Sequence, residues 1–184
     1  MEIGTTIGND LDAPDPRTKD ESMDTAISPL ALPSPTLRHV YRLRAELTAP
    51  LEVGEEPAGR RRLVPFGKGR FAGPEISGVL LPGGSADWQL VRPDGSVAVE
   101  VRYTLRTDSG SLILVRSDGV RHGDPEVLAR LGRGEEVAPD EYTFRAAARM
   151  ETADPNLAWL NDGVFVAVGA REAAAIVYDV HLVE

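Results

Sequence analysis

Three stretches of the chain alternate apolar and polar residues with period two. In LRHVYRLRAEL, Leu37, His39, Tyr41, Leu43, Ala45 and Leu47 fall on one face, while Arg38, Arg42, Arg44 and Glu46 dominate the other. SVAVEVRYTLRT sets Val97, Val99, Val101, Tyr103 and Leu105 against Glu100, Arg102, Thr104 and Arg106. EYTFRAAARMET sets Tyr142, Phe144, Ala146, Ala148 and Met150 against Thr143, Arg145, Arg149 and Glu151. Successive side chains of a strand point to opposite faces, so each stretch predicts a long half-buried strand.

Turn residues punctuate the segments between. Pro93-Asp94-Gly95 presets a turn between WQLV and SVAVEV. Asp108-Ser109-Gly110 separates YTLRT from SLILVRS, and Asp118-Gly119 is expected to close the next step. RFAGPEISGVLLPGG holds two further strands interrupted at Gly73-Pro74, and VFVAVG with AAIVYDVHLV reads as a last pair. Helix signals are few. Asp124-Pro125-Glu126 supplies a cap, a first-turn proline and an acid, followed by the apolar Val127, Leu128 and Leu131 and ended by Gly132 and Gly134. DPNLAWLNDG, 154–163, suits a second piece of a single turn. Many short strands with token helix indicate an antiparallel barrel or sandwich, and closure into a barrel removes the exposed edges.

Composition narrows the class. A chain of 184 residues is long enough for one domain with a sizeable core and marginal for two. Residues 1–36 carry five prolines, no aromatic residue and seven acids against Arg17 and Lys19. Such a segment buries too little apolar area to offset its ordering entropy, so a disordered acidic leader is expected before a single barrel domain over 37–184. The net charge of −9 argues against nucleic acid, whose phosphates reward clustered Lys and Arg. Arg60-Arg61-Arg62 is the one basic run and reads as a solvated strand end. Without cysteine, disulfides and thiolate catalysis are excluded. The sequence has no apolar run near the roughly 18 residues of a membrane span, and its start resembles no secretory signal. A cytoplasmic protein is expected, with no membrane partner.

The ordered part resembles the proteins called domain of unknown function 3237. The matching stretches are PLEVGEEPAGRRRLVPFGKGRFAGPEISGVLLPGGSADWQLVRPDG, VRYTLRTDSGSLILVRSDG and YTFRAAARMETADPNLAWLNDGVFVAVG, within roughly residues 36–184. The resemblance implies a closed antiparallel β-barrel with one short helix and says little about activity. GGSADW departs from the tighter Gly-Gly-Ala-Asp expected of the family by carrying Ser85, which bears on the face that Asp87 takes.

The candidate chemistry gathers where polar residues sit beside aromatic ones. In GGSADWQLVRPDG, Asp87 and Gln89 share one side of the strand and Trp88 takes the other, unless a bulge at the glycines re-aims them. Partial burial would raise the Asp87 pKa and suit it to general acid or base work; the alternative is a turn-bonding aspartate. Glu151 is a second candidate carboxylate with Arg145 on its own face, the alternative being a surface ion pair. Trp88, Arg102, Tyr103, Tyr142, Trp159 and Asn161 are candidate substrate-binding residues, with His39 a further interior candidate; the aromatic ones suit an ordinary core equally well. His39, His122 and His181 show no metal-ligand spacing, and no P-loop, G-x-S-x-G elbow or dinucleotide fingerprint occurs, so neither metal nor cofactor is expected.

Three functions fit. One is a cofactor-free isomerase, lyase or cyclase using Asp87 on a small apolar or aromatic molecule in the barrel. The second is a carrier or sensor with the same cavity and no chemistry. The third is a protein-interaction module with a filled barrel. A homodimer is compatible with each.

Overall fold

The computed structural model describes residue 28 and residues 30–184. Most of the expected leader therefore lies outside the described residues. Pro35–Glu184 forms one compact unit. Its elements are β1 (Leu37–Leu47), β2 (Leu51–Glu56), β3 (Gly59–Ala72), β4 (Ser77–Val91), β5 (Val97–Thr107), β6 (Leu112–Gly123), α1 (Pro125–Gly132), β7 (Tyr142–Glu151), a 3-10 turn (Pro155–Leu157), α2 (Trp159–Asp162), β8 (Phe165–Arg171) and β9 (Ala175–Val183). Strands pair in the order β1-β9-β8-β7-β6-β5-β4-β3, and β3 returns to β1. The result is a closed antiparallel barrel of eight strands. β2 pairs only with the start of β3, carrying the sheet past the end of β1. Among the described residues, no helix is long and apolar enough to cross a membrane.

The three alternating stretches become β1, β5 and β7, and their apolar faces line the interior. On β5, Val97, Val99, Val101, Tyr103 and Leu105 are all buried. β1 departs from strict alternation. A bulge between His39 and Tyr41 buries Val40 and Tyr41 together and turns His39 outward. The expected turn at Asp118-Gly119 is absent, because β6 runs unbroken with Asp118 paired to both Glu100 and Ala147. Gly119 is there for close approach: a Cβ on it would stand 2.3 Å from the Arg145 carbonyl oxygen and 2.5 Å from the Ala146 Cβ.

The two ends of the barrel differ. One is apolar and plugged by α2, whose Leu160 is fully buried and whose Trp159 packs at 6.3 Å from the Phe165 ring. Near the other end α1 leaves β6, capped by Asp124, whose side chain accepts from the Glu126 amide. Its Leu128 rests against the β4–β5 turn at Gly95. This second end holds the polar interior.

Candidate functional site

The site begins with a change of phase in β4. Leu80 faces inward opposite Leu105, and strict alternation would then send Asp87 outward. Between Leu81, paired with Thr104, and Ala86, paired with Arg102, β4 spends three more residues than β5. An odd excess exchanges the two faces of everything that follows. Gly83 and Gly84, at φ of +88° and +80°, make the excursion without the penalty an L side chain incurs there. Ser85 closes it: its hydroxyl donates to the Leu81 carbonyl and accepts from the Thr104 amide. Ser85, Asp87 and Gln89 consequently face inward and are buried. Trp88 goes outward.

Asp87 is 4% exposed. Its Oδ2 accepts a hydrogen bond from Gln89 Nε2, and Gln89 Oε1 accepts one from Arg62 Nε at 2.8 Å. Arg121 on β6 and Arg171 on β8 also act on the carboxylate through their charge. The aromatic surroundings come from Tyr142 on β7, whose hydroxyl accepts from the Arg171 amide at 2.8 Å, and from Tyr178 on β9. Tyr178 meets Phe144 edge-on at 5.6 Å. Tyr103 and Tyr41 join their hydroxyls at 2.9 Å.

Four buried side-chain atoms among the described residues have no hydrogen-bond partner, and three of them belong to this cluster: Asp87 Oδ1, Arg121 Nε and Tyr178 Oη. Buried polar groups are ordinarily satisfied, so three unpaired ones together are a departure that calls for an explanation. Burial pushes the Asp87 carboxyl up to about 6, against the opposing pull of the Gln89 bond and of the charges on Arg121, Arg62 and Arg171. All three guanidinium pKa values are lowered, first by burial and then by neighbouring arginines. Burial holds the Tyr178 hydroxyl well above its usual range. The arrangement can give and take a proton at Asp87 and can stabilise negative charge beside it.

Most of the other candidates fall elsewhere. Tyr103 and Tyr142 are interior, as their alternation predicts. Arg145 and Glu151 share a face, but it is the outer one; Glu151 pairs with Arg116, and Arg145 donates to the Phe144 carbonyl. Arg102 is exposed, pairs with Glu100 and lies 5.9 Å over the outward Trp88 ring. His39 faces outward beyond its bulge, 3.6 Å from Asp179 and edge-on to His181. Trp159 belongs to the plug at the opposite end, under Arg38. Asn161 is exposed and ties the chain locally, accepting from the Thr152 amide and donating to its carbonyl. None of these six residues belongs to the Asp87 cluster.

Arg62, Gln89, Arg121, Arg171 and Tyr178 complete the cluster. In the sequence Arg62 belongs to a run that reads as a solvated strand end; Arg61 does pair outward with Glu56, while Arg62 turns in to Gln89. Arg121 had a readable signal, since it is in phase with Ile113, Val115 and Ser117 on an otherwise inward face. Among the described residues no group of three histidine or acidic side chains is placed to hold a metal. A groove lined by Val137, Arg171 and Asp179 measures about 540 Å³. That groove and the four others described do not include Asp87 in their walls.

The same barrel is found in known proteins. A UPF0311 protein of Rhodopseudomonas palustris is 40% identical over 152 residues, covering 82% of this chain and 99% of its own length. The crystal structure of a conserved protein of unknown function from that organism superposes with a TM-score of 0.79 at 37% identity, covering 83% of this chain and all of the other. A beta-barrel like protein of Acinetobacter baumannii gives 0.74 at 35% identity over 84% of this chain and 99% of its own. A more distant structure, an enzyme from Penicillium herquei, gives 0.59 at 16% identity over 82% of this chain and 98% of its own, a likeness of fold. Residues 35–183 match the family described as Protein of unknown function (DUF3237), and the chain belongs to that family.

Proposed function

We propose that the polar end of the barrel binds a small organic molecule and moves a proton on it with Asp87, as a cofactor-free enzyme of the isomerase, lyase or cyclase type. The observation that carries this reading is Asp87 Oδ1, buried and unpartnered while Oδ2 is fixed by Gln89. A carboxyl oriented through one oxygen and free at the other is arranged to meet a substrate proton. A carboxyl titrating near 6 changes state close to neutral pH, which suits the task.

The proton balance needs no co-reactant. Ionised Asp87 takes a proton from a C–H or O–H of the substrate; the bonding pair stays on the substrate as an oxyanion or carbanion beside the arginines. The protonated acid then returns the proton at another atom of the same molecule, giving an isomer or a ring-closed product. Stabilising developing charge in a water-poor site is commonly the largest contribution to such catalysis. The fold accommodates catalysis elsewhere, since the Penicillium herquei protein that shares it is an enzyme. Asp87 and Arg121 are buried, while Arg62 and Arg171 are half-buried and are the charged members of the cluster nearest solvent.

The test is native mass spectrometry of the isolated protein, with any released ligand incubated with wild-type and Asp87→Asn protein. Conversion by the wild type that falls about 10²-fold or more in the variant is the expected result. A ligand returned unchanged by the wild type leaves a carrier; equal conversion by both proteins removes Asp87 from the chemistry.

A further inference from the structure

The cluster around Asp87 is unbalanced in charge. Arg62, Arg121 and Arg171 face one carboxylate; the further acid acting on any of them is Glu52, on Arg62 from β2. The surplus is held where it costs most. Arg121 is 6% exposed, and its Nε donates to nothing. Burying an unpaired cation is expensive, and buried charges are ordinarily paired. The arginines do not face one another by default of sequence: each comes from a different strand, β3, β6 and β8, and all three lie toward the same end of the barrel. On the outer surface Arg145 and Arg149 donate to backbone carbonyls, and many other arginines are paired. Arg38, Arg42, Arg44, Arg61, Arg102 and Arg116 each pair with an acid.

We propose, building on the reading above, that the substrate is an organic anion presenting a planar oxyanion, a carboxylate or an enolate, to Arg121 and Arg171. The guanidinium fork matches such a group with two parallel donors, and an Arg–carboxylate pair is stronger and more directional than a neutral hydrogen bond. The unpartnered Tyr178 hydroxyl supplies a further donor to the same group. The body of the molecule lies against Tyr142, Phe144 and Tyr178, whose rings form the apolar wall here. Asp87 Oδ1 then meets a proton next to the anionic group, where the arginines take up the charge that its removal creates. The three guanidinium groups repel one another, and an anion bound among them relieves that repulsion.

Benzoate and its neutral isostere benzamide serve as probes, added to the full-length protein while the arginine Nε–Hε resonances are followed by NMR. Benzoate is expected to shift the Arg121 resonance and to bind at least about tenfold more tightly than benzamide. Arg121→Met and Arg171→Met should each weaken benzoate about tenfold or more while leaving benzamide within about twofold. Arg171 is half-exposed, so its variant carries the test if Arg121→Met does not fold. Equal affinity for the two probes overturns the anion assignment and leaves a small-molecule site standing. Absence of any shift at Arg121 with either probe overturns it as well, and the acid–base reading is then judged separately by the Asp87→Asn comparison.

Discussion

Gln89 holds Asp87 from two residues further along the same strand, donating through Nε2 to Oδ2, while Arg62 donates to Gln89 from the neighbouring strand. The relay fixes the orientation of the acid and favours its ionised form. Removing it should push the Asp87 pKa above about 6. Carbon-detected NMR titration of Gln89→Leu would read this directly; an unmoved or lowered midpoint would show that the bond does not support the carboxylate.

Stability should depend on pH through the same residue. The folded pKa of Asp87, about 6, lies above its ordinary value of 3.8, so the folded state binds the proton more tightly. Its favourable contribution is complete below the ordinary value and is lost as pH rises through about 6. A shift of about two units corresponds to roughly 3 kcal/mol. Between pH 4 and 7 the wild type should therefore lose stability relative to Asp87→Asn by an amount of that order, measured by urea unfolding. Parallel pH profiles for the two proteins would contradict it.

The buried Tyr41–Tyr103 hydroxyl pair has a separate consequence. Burial and the partner hydroxyl hold Tyr41 well above its usual range, and burial pushes Tyr103 up to about 12, so both stay neutral at ordinary pH. Tyr103→Phe leaves the Tyr41 hydroxyl buried without a partner, at a cost of about 1–3 kcal/mol. Replacing both by Phe removes the orphan. The double variant should be less destabilised than the sum of the single ones, as read from a double-mutant cycle, and strict additivity would show that the two hydroxyls do not depend on each other.

Gly84→Ala tests the bend that turns Asp87 inward. Nothing lies within 4 Å of an added Cβ, so the cost is that of the backbone alone, at φ +80°. A loss of about 1–2 kcal/mol in denaturant unfolding is expected. A neutral result would mean that the β4 excursion relaxes freely.

The outward candidates should be inert. Arg102→Gln, Arg145→Gln and Glu151→Gln are expected to change stability by less than about 1 kcal/mol and to leave ligand conversion unchanged, because exposed pairs contribute little. A loss of conversion in any of them would restore it to the site.

Period-two alternation determined the strands themselves. Val97 to Leu105 and Tyr142 to Met150 could be placed on an inner face from sequence, because a strand offers two sides and burial selects the apolar one. The turn at Pro93-Asp94-Gly95 and the Asp124 cap were legible for the same local reason: backbone geometry there depends on a few adjacent residues. Tertiary structure decided what depends on register. His39 left the interior through a bulge in β1, and Asp87 entered it through an odd excess in β4 that is counted only against β5. Asp118-Gly119 resembles a turn locally, yet it continues β6 because strands pair with it on both sides, and the glycine leaves room for the Arg145 carbonyl and Ala146. Arg62, Arg121 and Arg171 stand far apart in the chain, and no local pattern joins them. Closure of the sheet brings their three strands around one axis, and that is why the charge surplus beside Asp87 exists in the fold and in no segment of the sequence.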